Sequence, residues 1–384
     1  MKSVTILGAT GSVGTSTLDL VERSPDRFRV RALTANVDVA GLAKAAIRTN
    51  AEFAVVADES YLPALRAALS GTSIGTAGGE DAVAEAAAGA DWTMAAIVGC
   101  AGLKPVMAAI EAGGTVVLAN KEPLVSAGDV ILAAAKRTGA TLLPADSEHN
   151  AIFQCFDFDR PERVRRIILT ASGGPFRDWS RAQMQSVTPA QAFAHPNWTM
   201  GAKISVDSAT MFNKGLELIE AARLFPVAHG ALEVVLHRQS VIHSLVDYID
   251  GSMLAQLGPP DMRVPIAHCL AWPDRIATPL EPLDLIAIGR LDFEAVDEVR
   301  FPALRLAREA LIAGGARPAV LNAANEIAVA RFLEGRIGFL EIAAIVYDTL
   351  ACYDPPAPVT LDEVLSVDAE ARRRADERVK ECVH

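Results

Sequence analysis

The chain has few aromatic residues, few cysteines and no excess of positive charge, and each shortage bears on what it can be. Phe, Trp and Tyr make up 5% of the 384 residues, so alanine does much of the apolar work. Cys100, Cys155, Cys269, Cys352 and Cys382 stand singly and are odd in number. Without a Cys-x-x-Cys pair they argue against a disulfide framework and for a reduced, cytoplasmic compartment. Lys and Arg number 36 against 47 Asp and Glu, a net charge of −11, so no electrostatic footprint for nucleic acid is present. An acidic protein that takes an anionic ligand must do so with local cations and backbone donors. No uninterrupted apolar run reaches bilayer length, and the first residues enter a β-rich run that leaves no room for a leader. A soluble protein with no membrane partner is expected.

The remaining composition, 51% hydrophobic over 384 residues, suits two or three domains with sizeable cores. Short β-rich runs at 4–8, 28–34, 53–57, 73–75, 92–98, 115–118 and 141–145 alternate with helical patterns at 15–23, 39–49, 62–69, 81–88, 104–112 and 128–138. That alternation predicts an α/β fold, a Rossmann-like doubly wound parallel sheet over residues 1–147. Runs at 164–170, 232–236, 240–249 and 252–257, the last two joined by Asp250-Gly251, predict a central α+β domain over 148–275. Residues 276–299 are proline-rich and read as a linker. Four helical patterns between 303 and 379 predict a helical bundle over 300–384.

The first β run ends in a glycine turn, Gly8, Gly11 and Gly14, with Thr10, Ser12 and Val13 between them. Strand, glycine turn and helix form the setting for a dinucleotide pyrophosphate, the bland alternative being a turn with no ligand. The second run ends in Asn36-Val37-Asp38, where adenosine-ribose selectivity is set. Asn120-Lys121-Glu122 and Asp146-Ser147-Glu148 also fall at predicted strand ends, which places them on one rim with Gly11. Asp146 and Glu148 suit Mg²⁺ or Mn²⁺ as hard oxygen ligands, while the stretch alone reads more readily as a helix start with Asp or Ser as N-cap. Ser172-Gly173-Gly174 offers a hydroxyl and backbone donors to an anion. The long segment that follows, about 173–203, carries His195 and Trp198 and reads as an active-site lid. A helix predicted from about Asp207 puts Ser208 near its N-terminus and Asn213, Lys214 and Glu217 on one face. That is a phosphate pocket with a carboxylate turned to a metal, or an exposed Lys–Glu pair. No chemistry is assigned to residues 322–326.

A dinucleotide site, a divalent-metal site and an anion pocket together point to reduction of a phosphorylated carbonyl compound. The glycine turn 8–14 and the runs 143–154, 195–201, 203–217 and 257–263 resemble the 1-deoxy-D-xylulose 5-phosphate reductoisomerase family over essentially the whole chain. The resemblance implies an NADPH-dependent enzyme of the non-mevalonate isoprenoid pathway. It rearranges and reduces 1-deoxy-D-xylulose 5-phosphate to 2-C-methyl-D-erythritol 4-phosphate, with Mg²⁺ or Mn²⁺, and possible use of Co²⁺. It further implies a cytoplasmic bacterial homodimer. By the same resemblance Asp146, Glu148 and Glu217 are metal ligands, and Lys121, Glu148 and His195 are catalytic. Ser172, Ser208, Asn213 and Lys214 hold phosphate, while Lys121, Ser147 and Glu148 face the hydroxyl-carbonyl end. His195 and Trp198 belong to the lid, and Met262 lines the pocket near the nicotinamide. Gly8, Thr10, Gly11, Ser12, Val13, Asn36, Asn120, Glu122 and Gly201 meet NADPH.

Two other readings compete. A semialdehyde-dehydrogenase-like reductase would need a nucleophilic cysteine beside a histidine, and Cys100 and Cys155 lack an evident one. A non-catalytic dinucleotide sensor would have no use for the carboxylates, Lys214 and the lid together. One departure from the family stands out. Where relatives often carry Gly-Lys-Asn after the second strand, this chain has Asn36-Val37-Asp38. Asp38 can accept from a 2′-hydroxyl and repels a 2′-phosphate. Selectivity for NADPH over NADH is therefore expected to be weaker than in relatives with the lysine. Comparing kcat/KM for the two cofactors tests this, and an overwhelming NADPH preference sinks it.

Overall fold

The computed structural model describes residues 1–193 and 201–382, so His195 and Trp198 lie outside the described residues. The chain divides into two compact units. One comprises Met1–Pro123, Ile131–Asn150 and Met262–Leu280, the other Leu124–Val130, Ala151–Asp261 and Glu281–His384.

The first unit is built on β1 (Lys2–Leu7), β2 (Phe28–Ala35), β3 (Phe53–Val56), β4 (Gly75–Gly78), β5 (Trp92–Ala95), β6 (Thr115–Leu118) and β7 (Thr141–Pro144). They pair in the order β4-β3-β2-β1-β5-β6-β7, every pair parallel. Val4, Thr5, Ile6 and Leu7 are all fully buried, so β1 is a continuous run rather than an alternation, as a strand covered on both faces requires. The strand order reverses beside β1, where a doubly wound sheet opens a crevice at its carboxyl ends. The strands alternate with α1 (Ser12–Glu22), α2 (Val39–Thr49), α3 (Leu62–Ala68), α4 (Glu80–Ala87), α5 (Leu103–Glu111) and α6 (Glu122–Thr138), and α7 (Ser147–Cys155) follows β7.

The helix expected from 128 begins six residues earlier, at Glu122. Pro123 is pre-set for a first turn and Glu122 suits the positive helix end. The helix leaves helical geometry at Ala127 (φ −124°, ψ 21°), between Ser126 and Gly128, a pairing that tolerates a kink. Gly14 explains how closely α1 sits on β1. A Cβ there would lie 2.3 Å from the Gly8 carbonyl oxygen and 2.6 Å from Ala9 Cα, both backbone atoms that cannot yield.

The second unit holds β8 (Val164–Ala171), the one-turn helices α8 (Arg181–Met184) and α9 (Pro189–Ala192), α10 (Ala202–Thr210) and α11 (Phe212–Leu224). β9 (Leu232–Leu236), β10 (Ile242–Tyr248) and β11 (Met253–Leu257) follow; α12 (Arg263–Ala271) then belongs to the first unit. The sheet order is β11-β10-β8-β9 and then a short strand, β12 (Glu294–Ala295), with β8 and β9 parallel and the other pairs antiparallel. The Asp250-Gly251 hairpin is present, with Gly251 at φ +87°. The proline-rich segment is more ordered than its composition suggests. It contains α13 (Leu285–Ile288) and β12 (Glu294–Ala295), which pairs with β9.

α14 (Ala303–Ala313), α15 (Arg317–Leu333), α16 (Glu341–Cys352) and α17 (Leu361–Cys382) form the expected bundle. On α14, Leu304, Ala307 and Leu311 recur at helical spacing and are buried, which gives the helix one apolar stripe. Its core is continuous with α11 through Phe212, Leu216 and Ile219.

The single helix expected from about Asp207 is two. Met211 stands at φ +69° between α10 and α11. The Thr210 hydroxyl donates to the Val206 carbonyl at 3.0 Å and accepts from the Phe212 N–H at 3.4 Å, giving the backbone partners outside a regular helix. Ser208 therefore lies in the last turn of α10. Asn213 and Lys214 occupy the first turn of α11.

Candidate active site

In the first unit, the carboxyl ends of β1, β2, β6 and β7 carry most of the residues expected to meet cofactor and metal. Gly8 and Thr10 form the β1–α1 turn, Gly11 is the N-cap of α1, and Ser12 and Val13 open the helix. That N-terminus has no side-chain cap and no acidic residue in its first turn, so its backbone donors and dipole face outward, as an anion site needs. Asn36 follows β2 and is exposed. Asp38 is the N-cap of α2 and accepts from the Gly41 N–H at 2.9 Å. Asn120 donates to the Ile97 carbonyl, and Glu122 is buried at the start of α6.

At the end of β7, Asp146 is both a cap and an ion-pair partner. Its Oδ1 accepts from the N–H groups of Glu148 (3.1 Å) and His149 (3.3 Å), which starts α7. Its Oδ2 accepts from Lys121 Nζ at 2.5 Å, and His149 Nδ1 lies 3.0 Å from Oδ1. Burial by itself raises the Asp146 carboxyl. The Lys121 charge, followed by His149, outweighs it and holds the group well below the usual carboxylate range. Ser147 donates to Glu148 Oε2 at 2.6 Å, and both side chains are half-buried.

α7 is held from behind. Asn150 Nδ2 donates to the Pro144 carbonyl at 2.9 Å and lies 3.1 Å from His268 Nδ1 on α12. Trp92 Nε1 donates to the Cys269 carbonyl at 3.1 Å and Lys2 Nζ to the Leu270 carbonyl at 3.0 Å, fastening α12 to the sheet. Met262, half-buried, sits just before α12. Burial, with Arg275 second, pushes His268 down to about 4. Its ordinary value is about 6.5, so between those values the unfolded chain binds a proton the folded one refuses. The stabilisation is complete above pH 6.5 and is lost as pH falls toward 4. Urea midpoints between pH 7 and 5 should fall more steeply for the wild type than for His268→Gln, and parallel slopes would disprove this.

The second unit holds the anion-binding candidates. Ser172, Gly173 and Gly174 follow β8, with both glycines in the left-handed region at φ +79° and +66°. A Cβ on Gly174 would lie 2.8 Å from the Ser208 carbonyl oxygen, so the turn rests directly on the last turn of α10. Gly174, two residues after Ser172, thus lies against the Ser208 backbone. On α11, Asn213 Nδ2 and Lys214 Nζ each donate to one oxygen of Glu217. Lys214 is 4% exposed and Glu217 fully buried, so the surface-pair alternative does not apply. Gly201 is exposed at the N-cap of α10.

Sequence reasoning missed several partners. Asp207, 1% exposed, accepts from Asn325 Nδ2 at 2.8 Å and pairs with Lys203 at 2.9 Å, so the stretch 322–326 does take part in a buried network. Arg177 donates to the Ser172 carbonyl at 2.9 Å. Two pairings had a local signal, His149 three residues after Asp146 and Lys203 four residues before Asp207. Asn325 and Asp207 are 118 residues apart.

Three family profiles match: "1-deoxy-D-xylulose 5-phosphate reductoisomerase" over residues 4–128, that family's C-terminal domain over 142–225, and "DXP reductoisomerase C-terminal domain" over 257–374. The 1-deoxy-D-xylulose 5-phosphate reductoisomerase of Zymomonas mobilis is 61% identical over 375 residues, 97% of each chain. The chain belongs to the 1-deoxy-D-xylulose 5-phosphate reductoisomerase family. A second relative of that name, from Rhodospirillum centenum, is 59% identical over 99% of this chain and 94% of its own. The solved Zymomonas mobilis reductoisomerase, in complex with NADPH, matches with TM-score 0.95 and 59% identity over 98% of this chain and 99% of its own. Another solved reductoisomerase, in complex with NADPH, fosmidomycin and magnesium, matches with TM-score 0.94 and 43% identity over 99% and 98%. Among the described residues of the present reductoisomerase-family chain, no helix is long and apolar enough to cross a membrane.

Proposed function

We infer that this chain converts 1-deoxy-D-xylulose 5-phosphate to 2-C-methyl-D-erythritol 4-phosphate, using NADPH and a divalent metal, in isoprenoid precursor synthesis. The observation that carries the reading is 61% identity over 97% of both chains to a reductoisomerase of that name. Relatives in complex with NADPH and with magnesium support the cofactors. This chain's residues fit both groups. The N-terminus of α1 has neither a side-chain cap nor an acidic residue in its first turn, so its backbone donors suit a pyrophosphate, and the three acidic candidates are hard oxygen donors of the kind Mg²⁺ and Mn²⁺ take. When bound, the metal supplies Lewis-acid polarisation of adjacent substrate oxygens and NADPH supplies the hydride.

Asp146, Glu148 and Glu217 would hold the cation. Gly8, Thr10, Gly11, Ser12, Val13, Asn36, Asn120, Glu122 and Gly201 would hold NADPH. Lys121, Ser147 and Glu148 take the hydroxyl-carbonyl end of the substrate. Lys121 keeps Asp146 ionised, and Lys121, Glu148 and His195 are the groups that move protons there. Ser172, Ser208, Asn213 and Lys214 bind the phosphate, with the α11 N-terminus adding its dipole. That binding energy, remote from the reacting carbons, orients the substrate. His195 and Trp198 cover it, and Met262 lines the nicotinamide end. Residues 1–147 serve as the NADPH domain and 148–275 as the catalytic and dimerisation domain, with a lid at about 173–203. Residues 276–299 link these to the bundle at 300–384.

The chain works in the bacterial cytoplasm as a homodimer, with no nucleic-acid or membrane partner. β11 is an edge strand whose Met253, Leu254 and Leu257 are exposed, and such an edge favours pairing with a second copy. The test is NADPH consumption that requires both 1-deoxy-D-xylulose 5-phosphate and a metal. No turnover with Mg²⁺, Mn²⁺ or Co²⁺ overturns the reading.

A further inference from the structure

The segment that sequence marks as a passive linker is fastened, residue by residue, across the ends of β8 and β9. Asp292 and Gln239 exchange hydrogen bonds, Gln239 Nε2 to Asp292 Oδ2 at 2.7 Å and Asp292 N–H to Gln239 Oε1 at 3.2 Å. His237 Nδ1 lies 2.9 Å from the Asp292 carbonyl oxygen, and its ring stacks on Phe293 at 4.9 Å. The His237 N–H donates to the Ala171 carbonyl at 2.8 Å, the last residue of β8. Glu294 and Ala295 pair with Leu236 and Val235.

The strap then engages the turn that follows β8. Arg238 forms a bidentate pair with Asp178 at 2.9 and 2.7 Å and reaches Glu294 with the same guanidinium. Arg300 Nη1 donates to the carbonyls of Arg177 (2.9 Å) and Trp179 (2.8 Å). Its Nε donates to Asp297 at 2.8 Å, and Asp297 also accepts from the Val299 and Arg300 N–H groups at 3.0 Å. Arg177 in turn donates to the Ser172 carbonyl. One series of charge-assisted hydrogen bonds thus runs from the strap through residues 177–179 to Ser172, whose neighbour Gly174 rests on Ser208.

We propose that Arg300, with Arg238 and Asp178, is a positioning residue for substrate phosphate: it sets the place of the Ser172-Gly173-Gly174 turn without touching the ligand. A turn with two left-handed glycines has little stiffness of its own, so its position must be imposed from outside. The proposal rests on the reading of Ser172 as a phosphate ligand. It predicts a defect confined to the phosphate end of the substrate.

The experiment uses the full chain with saturating Mg²⁺ and steady-state kinetics. Arg300→Met should raise KM for 1-deoxy-D-xylulose 5-phosphate about tenfold, the scale of one charge-assisted hydrogen bond. It should weaken competitive inhibition by inorganic phosphate by a similar factor, while kcat and KM for NADPH stay within about twofold. Arg300→Lys, which keeps a cationic donor, should recover part of the loss. A substrate KM unchanged in Arg300→Met overturns the proposal. So does a joint decline of kcat, NADPH affinity and thermal midpoint, which would mark a strut for the fold in general. Should Arg300→Met misfold, Asp178→Ala decides the matter. Its side chain is 61% exposed, so the fold tolerates its loss, yet the Arg238 clamp on the turn is gone. Its substrate KM must rise, and an unchanged value overturns the proposal. Ser172→Ala separates the two readings. If it leaves substrate KM and phosphate inhibition unchanged, the phosphate role of the turn fails. If it shifts both while the Arg300 and Asp178 variants do not, only the strap's role fails.

Discussion

Glu148→Gln should fold, bind NADPH and lose metal-dependent turnover by roughly a thousandfold, the several kcal/mol a Lewis acid contributes at about 1.4 kcal/mol per decade. The substitution is informative because the cap and the carboxylate chemistry fall on different side chains. α7 is capped by Asp146 Oδ1, which takes the N–H groups of residues 148 and 149. Glu148 contributes its backbone to that cap, and its side chain accepts from the Ser147 hydroxyl at 2.6 Å. Glutamine keeps the shape and the hydrogen-bonding capacity, so helix and fold persist, and only the negative charge disappears. Asp146→Asn is the contrasting variant. It removes the charge that Lys121 meets inside the protein, and should lose stability as well as activity. Circular dichroism, NADPH fluorescence titration and turnover with graded Mg²⁺ distinguish the cases. Near-normal activity in Glu148→Gln would return residues 146–148 to the role of a helix start.

Lys214→Met should destabilise the metal-free protein by about 3–5 kcal/mol and raise substrate KM by roughly a hundredfold, because it breaks a buried ion pair and removes the cation proposed to bind phosphate. Lys214 is 4% exposed, and its ammonium meets Glu217, which has no exposure at all. Without the ammonium, Glu217 loses a charge partner inside the protein and keeps the Asn213 amide. If Glu217 is a metal ligand, Mg²⁺ should recover more unfolding free energy in Lys214→Met than in the wild type, since a cation then takes the place of the lost ammonium. Denaturant titrations with and without Mg²⁺ measure this. Equal recovery in both proteins would remove Glu217 from the metal site while leaving the buried pair intact.

Much of this molecule is legible in its order of residues, and the parts that are share a cause. α2 (Val39–Thr49), β6 (Thr115–Leu118) and β9 (Leu232–Leu236) have the expected ends. Local chemistry marks some of them: Asp38 caps α2, Asn50 closes it in the left-handed region, and Gly113 and Gly114 precede β6. The break between α10 and α11 escaped notice because methionine, which rarely adopts positive φ, occupies the left-handed position at 211. Its reason lies in Thr210 and in the buried surroundings of both helices. The early start of α6 was masked by Ser126 and Gly128, which read as a boundary and form a kink.

The glycine turn, the acidic pair after β7, the Asn213–Lys214–Glu217 face and family membership were all decided by the chain's own order, because each depends on spacing within a few residues. Tertiary structure decided which distant donors meet which acceptors. Lys121 finds Asp146 across 25 residues, Asn325 finds Asp207 across 118 and Arg300 finds the Arg177 carbonyl across 123. No local propensity encodes such pairs. They form because a buried charge or carbonyl left without a partner costs several kcal/mol, and the fold brings together only residues that remove that cost.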